Sequence, residues 1–467
     1  MSHVFDPTVL REYDIRGIIG ETLGPDDARA IGQVFGSMLR EAGGSKVAVG
    51  YDGRVSSPIL EHALVEGLTA CGCDVVRIGM AATPMLYYAE ASGKEIDGGI
   101  EITGSHNPSN YNGFKLVFQG RPFFGADIAK LGERAAAGEW MDGTGTTETR
   151  EIMPAYIDRL LAGLDGVDPV ALAGMRIGWD AGNGAAGPAL EQLAARLPGE
   201  HHLLYTEVDG NFPNHHPDPT VEANLEDLRA LVAEKQLDFG IAFDGDGDRI
   251  GAIDGEGRVI WGDQLLMIYA EDALSRHRGA TVIADVKASR ALFDRVAQCG
   301  GKPLMWKTGH SLIKSKMKET GSPLAGEMSG HVFFADDYYG YDDALYAGVR
   351  LMAASARLGR SVTQLRGAMP AMVNTPEMRF QVDESRKFAA IDEVKARLAN
   401  SPAEVDSTDG VRVTSDDGWW LLRASNTQDV LVARAESDSQ EGLDKLLAQI
   451  DEQLALSGLE RGASVGH

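Results

Sequence analysis

From residue 46 to about residue 360, short β-rich apolar runs alternate with stretches whose apolar residues recur at helical spacing. The alternation predicts α/β units on mixed, largely parallel sheets. Three passages repeat one order. The first runs KVAVGYD, a helix opened by Ser56-Ser57-Pro58 and closed near Gly72, VVRIGM, a second helix and GGIEITGSH. The second has MRIGWDAGNG, HLLYTEV and DFGIAFDGDGDR with helices between them; the third has TVIADVKAS, PLMWKTGHS and PLAGEMSGH. Residue identities between passages are weak, so the repeat is one of pattern. Each third strand ends in a polar loop containing glycine. Open α/β sheets bind ligands at the carboxyl ends of their strands, so TGSHNP, DGDGDR and GEMSGH are expected to face one cleft.

From about residue 371 the pattern changes. VNTPEMRFQV, a helix near 385–399, the hairpin strands GVRVTSDDGWWLLRASN and DVLVARAES, and a helix from 440 predict a small α+β domain. Asp417-Gly418 is its turn signal. The expected divisions are 1–152, 153–258 and 259–370 for the α/β domains and 371–460 for the last.

Charge narrows the choice of partners. The 467 residues carry a formal net charge of −25, which argues against nucleic acid or an anionic membrane. An anionic small substrate would need basic groups gathered locally. Cys71, Cys73 and Cys299 are too few and too oddly spaced for a disulfide framework; they are expected to be reduced, buried thiols of a cytoplasmic protein. The first residues lack the basic and apolar regions of a signal peptide, and no run approaches the length of a membrane span. The tail LERGASVGH is expected to be loose.

DGDGDR, residues 244–249, is the strongest chemical signal. Asp244, Asp246 and Asp248 place three negative charges within five residues. Without a cation they repel one another; hard oxygen ligands at this density suit Mg²⁺ or Ca²⁺. An EF-hand is excluded, because Arg249 and Gly255 stand where its loop needs glycine and glutamate. TGSHNP, residues 103–108, holds Ser105. By itself this is a turn residue, and no G-x-S-x-G elbow surrounds it. Beside a metal loop it suggests phosphoryl transfer instead, since a phosphoserine supplies a strong metal-ligand oxygen. His106 and Lys115 lie near enough in sequence to handle protons or charge. In GEMSGH, Glu327 and Ser329 suit adjacent sugar hydroxyls, and His331 suits proton transfer. In RASNT, Arg423, Ser425, Asn426 and Thr427 would make a phosphate cradle.

Two other features point elsewhere. GNGAAG, residues 182–187, matches a dinucleotide-binding fingerprint, with Glu207 placed for a ribose. It supports a rival oxidoreductase reading that leaves DGDGDR unexplained; close packing of helix on strand is the simpler account. The pairs His201-His202 and His215-His216 lack the spacing of a zinc site. NFPNHHPDP reads as a proline-stiffened loop, and DDYYGYDD, residues 336–343, as a domain-packing surface. A metal-binding module without turnover is a further class.

Together these motifs resemble the α-D-phosphohexomutase family, and within it the bacterial phosphomannomutase/phosphoglucomutase group. The resemblance runs nearly end to end. It rests on REYDIRG at 11–17, TGSHNP with NGFK at 112–115, DAGNG at 180–184, NFPNHHPDP at 211–219, DGDGDR, DVKAS at 285–289, KTGHS at 307–311, GEMSGH and RASNT. It implies four domains round a central cleft and phosphoryl transfer between the 1- and 6-positions of glucose or mannose phosphates. The intermediate would be glucose 1,6-bisphosphate or its mannose equivalent. Ser105 would be the phosphoserine, and Asp244, Asp246 and Asp248 would bind Mg²⁺ with one of its oxygens. Arg249 would flank the transferred group. Glu327 and Ser329 would hold the sugar, and Arg423, Ser425, Asn426 and Thr427 the distant phosphate. Lys287, His310, Tyr13 and Arg16 match positions at the cleft. Lys115 and His331 are the leading acid/base candidates, with Arg16 behind them. Phosphoglucosamine mutase is the nearest rival within the family. A monomer is expected. One departure stands out: where the family commonly has proline two residues after RASNT, this chain has Asp429.

Overall fold

In the computed structural model, which describes residues 2–426 and 428–462, the three passages form three sheets with one strand order. The first sheet sets Tyr111–Phe118, Gly98–Ile102, Lys46–Tyr51 and Asp74–Met80 side by side. The second repeats this with Ile250–Asp254, Phe239–Phe243, Arg176–Asp180 and Glu200–Leu204, and the third with Val332–Phe334, Leu324–Gly326, Thr281–Asp285 and Lys302–Trp306. In each, three parallel strands are joined by an antiparallel return strand. The three-strand reading of each passage omitted this return strand. Its consequence is local: each motif loop is the turn of an antiparallel hairpin.

The last sheet is antiparallel, with Val411–Ser415, Gly418–Ala424 and Val430–Ser437 in succession. The helices Glu384–Leu398 and Gln440–Ala455 pack against it. Ser415 pairs with Gly418, so the turn is Asp416-Asp417 and the expected Asp417-Gly418 turn is one residue late. Glycine is needed at 418 for another reason: a Cβ there would lie 2.1 Å from the Glu436 carbonyl oxygen of the neighbouring strand.

One apolar core runs through the second and third sheets and reaches Ala48 and Val76 of the first. The helix Ala344–Leu358 does much of this joining. It follows the third sheet in the chain yet packs on the second, where Gly348 lets Trp179 approach. The segment 336–343 is a packing surface, as expected. Tyr338 stacks on Tyr346 with centroids 3.8 Å apart, and Tyr341 meets Tyr87 of the first unit. The last unit has its own core and touches the third through Val286, Trp419 and Leu421. Across that contact Arg412 donates to the carbonyls of Val286 and Ala288 at 2.6 and 2.8 Å.

Cys71 and Cys73 are buried free thiols; Cys299 is only partly buried, a correction to the expectation. Among the described residues no helix is long and apolar enough to cross a membrane. Thr427 and the end of the tail, 463–467, lie outside the described residues.

The helices Pro25–Glu41 and Ser57–Ala70 cross so closely that a Cβ on Gly67 would sit 2.1 Å from the Arg29 carbonyl oxygen. Overpacking costs about 1–3 kcal/mol, while replacing a helix-interior glycine recovers at most about 1 kcal/mol. Gly67→Ala is therefore expected to lower the urea midpoint at an unchanged slope; a raised midpoint would refute this account of the crossing.

Candidate active site

The four motif loops occupy equivalent places. TGSHNP, DGDGDR, GEMSGH and RASNT each connect two antiparallel strands at a strand's carboxyl end. A chain of contacts links them. Ser105 Oγ donates to Asp244 Oδ2 at 2.9 Å, joining the first loop to the second. Arg249 Nε donates to His331 Nε2 at 3.0 Å, joining the second to the third. Glu327 Oε1 accepts the Gly309 amide at 2.7 Å, joining the third to KTGHS. Tyr13 closes the chain: its hydroxyl donates to the Thr308 carbonyl at 3.0 Å and accepts from Asn426 Nδ2 at 2.6 Å.

Ser105 is buried, with φ at +48°, a left-handed conformation rare for a residue with a side chain. Its amide donates to Thr103 Oγ1 at 2.8 Å, and its hydroxyl lies 3.1 Å from His106 Nδ1. Strain of this kind persists where surrounding bonds over-determine it, and it marks functional turns.

The ligand atoms of Asp244, Asp246 and Asp248 lie within 4.8 Å of one another. Their remaining contacts decide which oxygens are available. Asp244 Oδ1 accepts the amides of Asp248 and Arg249 at 3.1 and 3.0 Å. Asp246 Oδ2 accepts from Thr83 Oγ1 at 2.6 Å, Thr103 Oγ1 at 3.0 Å and Lys115 Nζ at 2.7 Å. Lys115 Nζ also binds Asp248 Oδ2. Asp246 Oδ1 and Asp248 Oδ1 are buried with no hydrogen-bond partner. Two orphaned carboxylate oxygens beside Asp244 Oδ2 and the Ser105 hydroxyl form an all-oxygen donor set. It fits a hard divalent cation.

Electrostatics agree with this arrangement. Burial pushes the Asp244 carboxyl well above its ordinary range, and repulsion from Asp246 and Asp248 adds to the rise. Burial acts the same way on Asp246, but the Lys115 ammonium overrides it and holds that carboxyl below its ordinary range. Lys115 itself is only 5% exposed. Burial disfavours its charge, yet Asp246, Asp248 and Asp244 outweigh burial and raise its pKa. A buried ammonium at this position stays charged because three carboxylates face it.

His331 sits between two partners. Its Nδ1 lies 2.9 Å from Asp342 Oδ2, and its Nε2 accepts from Arg249. His310 stacks on it with centroids 5.5 Å apart, and burial, with Lys314 nearby, holds the His310 imidazole well below its ordinary pKa. Lys314 Nζ donates to Asp342 Oδ1 at 2.9 Å. Ser329 is half-buried on the same loop as the buried Glu327. Lys287 Nζ pairs with Glu377 at 2.9 Å. Arg423 Nε donates to Asp409 Oδ2 at 3.0 Å, and that oxygen also takes the Thr308 amide at 3.0 Å. Burial raises the Tyr13 hydroxyl to about 12. Arg16 pairs with Asp14, on the strand Ile15–Ile18 or beside it, next to the strand bearing Lys115.

Asp429 lies just beyond the RASNT loop and is tied to the residue after the strand Met378–Gln381 and to the helix Glu384–Leu398. Its carbonyl accepts the Val382 amide at 2.9 Å, and its carboxylate lies 3.8 Å from Lys387 Nζ. Across the base of the loop the Ser425 amide donates to the Val430 carbonyl at 3.0 Å.

Several residues at the site escaped sequence reasoning. Asp342 was absorbed into an acidic aromatic packing run, yet it faces His331. Thr103 was passed over inside TGSHNP itself, and Thr83, Glu377 and Asp409 carry no motif signal, because long-range pairing alone places them. GNGAAG is a packing device. Gly187 would bring a Cβ to 2.0 Å from the Thr206 carbonyl oxygen, and Gly184 to 2.7 Å from that of Gly245 in the metal loop. His215 Nε2 lies 2.9 Å from the buried Asp180, tying NFPNHHPDP to the second sheet. His201 accepts from Trp179 Nε1 at 3.0 Å.

Comparison with known proteins agrees with this geometry. Residues 7–141, 154–257 and 261–372 match phosphoglucomutase/phosphomannomutase alpha/beta/alpha domains I, II and III, and residues 377–453 match the C-terminal domain. Phosphomannomutase/phosphoglucomutase of Pseudomonas aeruginosa is 45% identical over 448 residues, 96% of this chain and 95% of that protein. Phosphoglucomutase of Neisseria gonorrhoeae is 41% identical over 443 residues, 94% of this chain and 95% of that one. The crystal structure of a phosphoglucomutase/phosphomannomutase family protein from Burkholderia thailandensis superposes with a TM-score of 0.91 at 42% identity. It covers 99% of this chain and 100% of its own. With all four domains matched in order and the motif loops gathered on one cleft, the chain belongs to the phosphoglucomutase/phosphomannomutase family of α-D-phosphohexomutases.

Proposed function

We propose that this phosphohexomutase interconverts the 1- and 6-phosphates of glucose and of mannose through a phosphorylated Ser105. One observation carries the reading: the Ser105 hydroxyl, fixed in a left-handed turn, donates to Asp244 at 2.9 Å within a buried three-aspartate cluster. On this reading the chain divides after residues 152, 258 and 370. Each unit then contributes one motif loop to the cleft.

In the first half-reaction the bond from phosphorus to Ser105 Oγ breaks and a bond from phosphorus to a sugar hydroxyl oxygen forms. The sugar hydroxyl loses its proton and the product is a hexose 1,6-bisphosphate. The intermediate turns round in the cleft and returns its other phosphoryl group to Ser105. Asp244, Asp246 and Asp248, with an oxygen on Ser105, would hold Mg²⁺. When bound it supplies positive charge opposite the phosphoryl oxygens. Arg249 adds a guanidinium at the same end. Lys115, held as an ammonium, would stabilise charge on the moving phosphoryl group, and it would act as the acid at the serine oxygen only once its hold on the facing carboxylates is loosened. His331 presents Nε2 as an acceptor while Nδ1 faces Asp342, so it suits the base once Arg249 turns to the phosphoryl group.

At the far end, Glu327 and Ser329 would take sugar hydroxyls. Arg423, Ser425, Asn426 and Thr427, with Lys287 and His310 nearby, would grip the phosphate that is not reacting. Asn426 rests on Tyr13 and Arg423 on Asp409, contacts that a substrate phosphate would replace. Release of the Tyr13 contact would let the last unit swing open for reorientation.

Three outcomes are expected. Ser105→Ala removes all but background turnover of glucose 1-phosphate while the thermal midpoint stays near wild type; wild-type rates would refute the phosphoserine. Treatment with EDTA abolishes turnover and added Mg²⁺ restores it; activity that survives chelation would remove the metal from the reading. Glucose, mannose and glucosamine phosphates assayed side by side give comparable kcat/KM for the first two and a far lower value for the third. A preference for glucosamine phosphate would make the chain a phosphoglucosamine mutase.

A further inference from the structure

The Ser105 loop is built round a buried side chain that lies 51 residues earlier and belongs to none of the motifs. Arg54 follows the strand Lys46–Tyr51 and is 2% exposed. Its guanidinium has five N–H donors, and five hydrogen bonds use them. Nη2 donates to the carbonyls of Ser105 at 2.8 Å and Asn107 at 2.6 Å. Nη1 donates to the carbonyls of Pro108 at 2.6 Å and Tyr111 at 3.0 Å. Nε donates to Asp52 Oδ2 at 3.1 Å. Asp52 in turn accepts the Gly104 amide at 3.0 Å and the Ser57 hydroxyl at 2.6 Å. The loop therefore wraps the guanidinium on both sides. The fit leaves no room for a side chain at 104, where a Cβ would lie 2.4 Å from Arg54 Cζ. Phe212 of the second unit covers Arg54, with its ring centroid 5.4 Å from Cζ.

We infer that Arg54 is a positioning residue for phosphoryl transfer: it holds the left-handed turn that presents the Ser105 hydroxyl, and it collects the loop's carbonyl dipoles. The inference rests on the phosphoserine reading above. Two physical effects follow. Four carbonyl bonds from one rigid planar group over-determine a backbone conformation that the loop would otherwise leave, because φ of +48° is costly for serine. The same bonds turn the negative ends of four carbonyl dipoles onto a buried cation, away from an incoming dianion. An ammonium has three donors, so lysine cannot replace the fork. All five Arg54 donors are spent on protein oxygens, so its removal should act on kcat rather than on substrate affinity.

The test uses the full chain and the glucose 1-phosphate assay. Arg54→Ala is expected to lower kcat about 100-fold, the scale of a displacement of about 1 Å at a reacting group, with KM little changed. Millimolar guanidinium should restore at least part of that loss by refilling the cavity, whereas methylammonium should not. Gly104→Ala, which drives a methyl group into Arg54, should reproduce the kcat loss with Arg54 in place. It carries the test if Arg54→Ala does not fold. In the double variant the clash has no target, so its kcat should match that of Arg54→Ala alone. Wild-type kcat in Arg54→Ala, or losses that multiply in the double variant with no recovery by guanidinium, would overturn the inference. Intact mass measured on the same samples separates it from its premise. A wild-type chain that turns over without phosphate on Ser105 removes the phosphoserine reading. A phosphorylated Ser105 with full kcat in Arg54→Ala removes only the role of Arg54.

Discussion

A single buried ammonium holds the site together. Lys115 lies on a strand of the first sheet, and its Nζ reaches across to Asp246 and Asp248 in the hairpin turn of the second. Neither partner tolerates the other's absence. An unpaired ammonium in the interior carries a desolvation cost of several kcal/mol, and so does each unpaired carboxylate. The two units must therefore dock in one register for either charge set to be satisfied. Thr83 and Thr103, also from the first unit, take the remaining contacts of Asp246. Docking leaves two aspartate oxygens without hydrogen bonds, on atoms that Lys115 does not use. The interaction that joins the units thus also leaves the place for a metal.

The remaining loops are arranged outward from that centre. Arg249 continues the DGDGDR turn and reaches His331; Glu327 on the same third loop reaches Gly309; Thr308 reaches Asp409 and Tyr13. Basic groups lie along this path on a chain whose net charge is −25. Far from the cleft such a field repels anions. Within it, Lys115, Arg249, Lys287 and Arg423 are each buried or partly buried against acids. Each side chain is thereby fixed at little entropic cost when a phosphate arrives. The last unit differs in kind. Its contacts with the third unit are numerous, whereas Tyr13 is its described hydrogen-bonded link to the first through Asn426. The opening proposed above would have to break that one link while keeping the contacts with the third unit.

Many residues that the fold gathers at the candidate site were legible along the chain. Ser105, Asp244, Asp246, Asp248 and Glu327 stand in runs where glycine and polar residues interrupt β-rich patterns, and such runs have few structural uses. The repeat of three units could be read from pattern alone, and the observed strand orders agree with it. The return strands were harder to read. GFKLVF and IGAID follow the polar motifs directly, so each looks like the start of a new element rather than the second half of a hairpin. Asp342 was hidden in the same way, since DDYYGYDD has a sufficient explanation in packing, and packing is indeed what Tyr338 and Tyr341 do.

Local sequence by itself determined the α/β class, the four-part organisation and the identity of the motif residues. These depend on periodicity, turn chemistry and residue type, all of which act over a few positions. Tertiary structure alone decided which charges meet. Nothing near residue 115 in the chain announces two aspartates more than 130 residues away, and nothing near Arg54 announces the four carbonyls it binds. Those choices follow from the cost of burying charge and from the docking of separate sheets. Both are properties of the folded molecule rather than of any segment.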